Sequence, residues 1–200
     1  TNLIFMGIPI IHSFYGAEGV SLLSMFILLF HFLVFTYGVM MVGGSDIKFK
    51  QLCNPGVFSA LLALFFGVTG LRLPAPVENT LSTIGAVNTP LAMMIIGASL
   101  AHSDILAAVS NPRLYRVSLL RLILIPLLMM GLVSVLPIDR MLAGICVIVS
   151  AMPIASNCGI LCDVYTPQDM TASHAIIIST LMSAVTLPVI VVLMGVVGLA

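Results

Sequence analysis

The sequence contains no tryptophan and very little charge. Seven Lys or Arg and seven Asp or Glu residues make up 7% of the 200-residue chain, and their sum is zero. That is too few charges to cover a water-facing surface. No basic stripe is available to neutralise phosphates, which excludes nucleic acid as a partner. Also absent are a low-complexity tract, a hydrophilic linker, a basic secretory leader and any Asn-X-Ser/Thr acceptor. The usual signatures of enzymes are missing too: no paired acidic residues within apolar runs, no His-Glu-x-x-His and no Gly-x-Ser-x-Gly. The chain therefore reads as a non-enzyme without metal or cofactor.

What is present is apolar. Hydrophobic residues reach 60% and mean hydropathy is +1.25, which excludes disorder. Uncharged runs cover Gly19–Ser45, Gln51–Leu71, Asn79–Ser103, Leu122–Ile138, Met141–Cys162 and Met170–Ala200, with a partial one at Thr1–Phe14. About 20 apolar residues span a bilayer. The runs are apolar all round and show no period-2 alternation, so they read as helices rather than barrel strands. The expectation is an all-α membrane protein with about seven helices. Five Lys or Arg residues (Lys48, Lys50, Arg113, Arg116, Arg121) fall on one set of alternating connectors and two (Arg72, Arg140) on the other. This bias places the Lys48 connector in the cytoplasm and the C-terminus outside. The absence of glycosylation acceptors and the compact connectors point to a prokaryotic plasma membrane.

Two apolar segments hold a proline among small and polar residues: Asn2 to Pro9 and Ser150 to Gly159. Proline removes a helical hydrogen bond and clashes with the carbonyl four residues back. Irregular backbone persists at membrane depth only when it is buried in protein or lines a wet cavity. An acidic turn and a long uncharged helix follow each segment: Tyr15-Gly16-Ala17-Glu18 after the first, Tyr165-Thr166-Pro167-Gln168-Asp169 after the second. Three ordinary spans lie between them, and an odd number of spans per unit inverts the second copy. Residues 1–44 would end a first repeat, 45–54 form a cytoplasmic connector, and 55–200 form a second five-helix repeat with its crossover around 141–164. The chain opens in mid-segment, so three helices are expected to precede Thr1.

Paired broken helices in two repeats point to the central site of a secondary transporter. Half-helices direct free N–H groups and positive dipole ends into the cavity, so a carboxylate can be held there without a basic side chain. The substrate-binding residues expected on this reading are Asn2, Gly7, Pro9, Asn88, Pro153, Ser156 and Asn157. Asn2 could equally cap the turn, and Ser156 could satisfy freed backbone. His31 reads as an interhelical hydrogen-bonding group, and Arg121 as a residue near a cytoplasmic helix end that snorkels to the interface, with steering of an anion as the alternative.

At these residues the chain resembles the auxin efflux carrier family. Asn2 through Pro9 is similar to that family's Asn-Thr-x-x-x-Gly-x-Pro crossover, with Leu3 in place of the frequent Thr. Asn54-Pro55 is similar to the start of the family's sixth helix. Thr89-Pro90 with Gly97-Ala98-Ser99 is similar to its seventh, Arg121 with Pro126 to its eighth, and Ala151-Met152-Pro153, Tyr165, Ser179-Thr180-Leu181 and Leu187-Pro188 to its last two. The resemblance implies ten helices in two inverted five-helix repeats, a fold related to bile-acid sodium symporters, elevator-type alternating access and a homodimer. It implies efflux of small organic anions such as malate, malonate or auxin-like carboxylates across a bacterial inner membrane. Coupling to H⁺, Na⁺ or neither stays open. A membrane-embedded ligand sensor and a channel are the rival readings.

Overall fold

A computed structural model describes residues 1–43, 55–87, 90–91, 94, 98, 109–165 and 171–199. The expected connector at 45–54, Asn88 and most of the second half of the Asn79–Ser103 run lie outside them. Among the described residues the fold is helical, with no strand. The helices are α1 (Ile8–Leu33), α2 (Val39–Gly43), α3 (Pro55–Thr69), α4 (Ala75–Ala86), α5 (Pro112–Leu119), α6 (Ile125–Val135), α7 (Arg140–Ala151), α8 (Ser156–Tyr165) and α9 (Thr171–Val197). Wider π turns occupy Leu3–Gly7, Val34–Gly38 and Leu120–Leu124.

Three helical stretches are long and apolar enough to cross a membrane: Ile8–Val42, Pro112–Val135 and Thr171–Val197. The pair α7 and α8 passes as a fourth, bent by 43° at its break. The first stretch has 35 residues, about 52 Å of helix against about 30 Å of hydrocarbon. It joins what the sequence suggested were two elements. The turn expected over Tyr15–Glu18 is concentrated in one residue: Gly16 has φ 60° and ψ −153°, and helical geometry resumes after it. Only glycine occupies that region without strain.

Helix starts follow local chemistry. Asn111 accepts the Arg113 N–H at 3.0 Å, with Pro112 at the first helical position of α5. Asp139 accepts the N–H groups of Met141 and Leu142 at 2.8 and 3.3 Å to start α7. The π turn Leu120–Leu124 ends two residues before Pro126, and the turn Leu3–Gly7 ends two residues before Pro9. A proline cannot donate to the carbonyl four residues back, and widening the preceding turn relieves the clash there.

The core sits around α7, which is buried on nearly all sides through Ala143, Gly144, Ile145, Val147, Ile148, Ser150 and Ala151. It packs against α1, α6 and α9. A helix apolar on every face belongs in the middle of a bundle. On α9 the buried residues Ser173, Ile176, Ser179, Ser183, Leu187, Ile190 and Met194 form one stripe. Its serines let α5 and the Leu120–Leu124 turn pack against α9. The opposite faces expose Leu128, Val135, Leu181, Val185 and Val196, as lipid-facing surfaces do.

Candidate functional site

Pro153 interrupts the seventh and eighth helices as the sequence predicts. Residues Met152 to Ala155 are non-helical, with Met152 at φ −67° and ψ 143°. A residue before proline is driven into this extended region by the ring. Freed backbone groups at the break are satisfied by protein. The Ile154 N–H donates to Ser179 Oγ on α9 at 3.2 Å, while the Ser179 hydroxyl donates to the Ile176 carbonyl at 3.0 Å. Ser179 is fully buried. Its part in holding the break open has no local signature in the sequence.

The first interrupted segment reaches the same place. Asn2 is non-helical (φ −85°, ψ 69°) and 8% exposed, and its N–H donates to the Pro153 carbonyl at 3.0 Å. The Asn2 carbonyl accepts the Gly7 N–H at 3.2 Å, a bond spanning five residues that sets up the π turn. The Asn2 side chain makes no capping bond to that turn. The capping role, one of its two readings from sequence, is therefore not the one it plays.

Two cavities open beside this junction. The larger, about 760 Å³, is lined by Thr1 and Leu3, by Phe26, Phe30 and their neighbours on α1, by Val149, Ile154 and Ala155 at the break, by Asn157, Cys158 and Leu161 on α8, and by Arg121. A small adjoining pocket, about 10 Å³, is bordered by Asn2, His31, Ser156 and Asn157 among others. The His31 Nδ1 lies 2.8 Å from the Ile27 carbonyl. A carbonyl only accepts, so Nδ1 carries the proton. The imidazole thus bonds within its own helix instead of between helices.

Of the residues predicted from sequence, Asn2, Pro153, Ser156 and Asn157 come together here. Gly7 and Pro9 do not line either cavity. Gly7 is buried beside Leu23 and Leu3, and Pro9 is exposed at the second position of α1. The break expected at Pro9 is absent, because the helix runs from the π turn Leu3–Gly7 straight into α1 and the widened turn accommodates the ring. The non-helical backbone of the first segment accordingly lies at Asn2, ahead of the proline.

Arg121 also departs from its sequence reading. Its span begins at Pro112, ahead of the charge-free run, so Arg121 is the tenth residue of a 24-residue crossing. At about 1.5 Å per residue it lies roughly 14 Å along this helix, and it lines the larger cavity. The cap at Asn111 starts the helix ahead of Arg113, Arg116 and Arg121, so all three lie on it.

Residues 44–191, about three-quarters of the chain, match a family model described as membrane transport protein. The chain belongs to this family, the auxin efflux carriers. The match spans the Pro153 break, Arg121 and Ser179, and it begins after Asn2 and Pro9. No curated protein matches, and no solved structure does. The chain is thus a membrane transport protein.

Proposed function

We propose that this membrane transport protein is a secondary carrier for small organic anions, and that its cargo binds where the two interrupted segments meet. The observation that carries the reading is the Asn2 N–H to Pro153 carbonyl bond beside the larger cavity. It ties the two irregular stretches together at a space that could hold a metabolite. Ser156 and Asn157 begin α8, whose first N–H groups have no partner within the helix and carry its positive dipole end. An anion there gains hydrogen bonds and a favourable field. Asn2, with its amide not spent on capping, supplies a further donor.

In this reading the two interrupted segments move as one body against a scaffold formed by the other spans and expose the site alternately. The setting is a plasma membrane, the bacterial inner membrane, with the C-terminus outside, two inverted repeats and a homodimer. Malate, malonate and auxin-like carboxylates are the cargo classes, with H⁺ or Na⁺ as the coupling ions to try. Counterflow in proteoliposomes tests it. Preloading with unlabelled anion should accelerate saturable uptake of the labelled one. Binding without translocation would instead make the protein a sensor, and non-saturable flux would make it a channel.

A further inference from the structure

Arg121 is the only charged side chain among the described residues that line the larger cavity. It is partly buried, the tenth residue of its 24-residue span and inside the π turn Leu120–Leu124, and it lines the cavity together with Leu3, Phe26, Phe30, Val149 and Ile154. Among the described residues no carboxylate lines this cavity with it. Asp139 caps α7, and Glu78 borders a separate groove with Arg72. A cation within a membrane span is costly unless something compensates it, and such residues mark substrate or ion pathways. Guanidinium matches a carboxylate in a planar, two-bond geometry.

We propose that Arg121 sets the charge of the cargo, accepting one carboxylate while the apolar lining takes the remainder of the molecule, so that monocarboxylates are selected over dicarboxylates. The proposal rests on the carrier reading above and narrows it. One cation and one carboxylate leave the loaded cavity neutral. A second carboxylate would have to be buried uncompensated against apolar side chains, which is strongly unfavourable. An amide of the same shape would leave the guanidinium unpaired and would bind less well.

Two matched sets of probes test this with the purified intact protein at neutral pH: hexanoate, adipate and hexanamide, and benzoate, phthalate and benzamide. Binding is read from ligand-dependent shifts in melting temperature, and uptake from counterflow. Hexanoate and benzoate should bind at least about tenfold more tightly than the dicarboxylate and the amide of their set. Arg121→Gln should weaken hexanoate and benzoate by about 10- to 100-fold, the usual scale for one charge-assisted hydrogen-bonding partner, while the amides hold or gain. Should that variant fail to fold, Arg121→Lys keeps the charge and loses the planar fork. It should weaken the carboxylates severalfold without weakening the amides.

Dicarboxylates binding as well as monocarboxylates overturn the proposal, and so does an Arg121→Gln protein with unchanged hexanoate and benzoate affinity. Uniform loss of amides and carboxylates in Arg121→Lys also overturns it, since that is the behaviour of a purely structural residue. In each of these cases counterflow of any organic anion leaves the carrier reading standing. Absence of binding and of counterflow across a broad anion panel in the wild-type protein overturns both.

Discussion

The Tyr15 hydroxyl donates to the Leu199 carbonyl at 3.0 Å, and in doing so it lies directly over Gly144. One side chain thereby joins the kinked first helix, the central helix and the end of the last. A Cβ at position 144 would overlap the Tyr15 hydroxyl and sit 2.8 Å from the Leu199 carbonyl. The second contact is backbone and cannot swing away. Gly144→Ala should therefore cost about 1–3 kcal/mol, as overpacking does. Tyr15→Phe keeps the ring and loses the hydrogen bond, for about 0.5–1.5 kcal/mol. Melting temperatures of the two variants in detergent check this, and the alanine variant should melt lower.

Gly16 and Gly131 make a matched comparison, because an added Cβ meets nothing within 4 Å at either position. They differ in backbone. Gly16 has φ +60° and ψ −153°, whereas Gly131 sits within α6. Gly16→Ala should destabilise by about 1–3 kcal/mol through backbone strain alone. Gly131→Ala should be neutral or stabilising by up to about 1 kcal/mol, because alanine loses less chain entropy on folding. Equal melting temperatures for the two variants would mean that the kink in the first helix is not held at Gly16.

Ser179 tests what keeps the second break open. Its hydroxyl oxygen is the acceptor for the Ile154 N–H, and Ser179→Ala leaves that donor unpaired in a buried setting. The expected loss is about 1–3 kcal/mol. Ser179→Thr keeps the oxygen and should recover much of the loss. Ser183, four residues on in the same stripe, bonds only the Thr180 carbonyl of its own helix, so Ser183→Ala should be milder.

How much of this was legible follows the range of each interaction. The Pro153 break is local chemistry: proline lacks the N–H and pushes Met152 into extended backbone, so the segment could be placed from residue identities. Pro9 is read from sequence as a second break, but the helix runs through it, because the widened π turn ahead of it takes up the clash of its ring. The contact between Asn2 and Pro153 joins residues far apart in sequence. Arg121 lies farther along its helix than the charge-free run indicates, because its position depends on where the helix begins. The Asn111-Pro112 start signal was present, but the charges after it drew the boundary inward. Ser179 acts across the bundle, and no pattern along one chain segment announces such a contact.

Asn2 offers the cleanest separation of fold from function. Its link to Pro153 runs through the backbone N–H, while its side chain makes no capping bond to its turn. Asn2→Ala removes only the amide of a buried side chain and keeps the backbone N–H, so the junction survives and stability should fall by about 1 kcal/mol or less. Anion uptake should fall about tenfold or more if that amide donates to cargo, the scale of a lost bond to a charged group. Asn2→Pro removes the N–H instead, so stability and uptake should fall together. An Asn2→Ala protein with wild-type uptake would confine Asn2 to its backbone role and shift the donor set to Ser156, Asn157 and the α8 N-terminus.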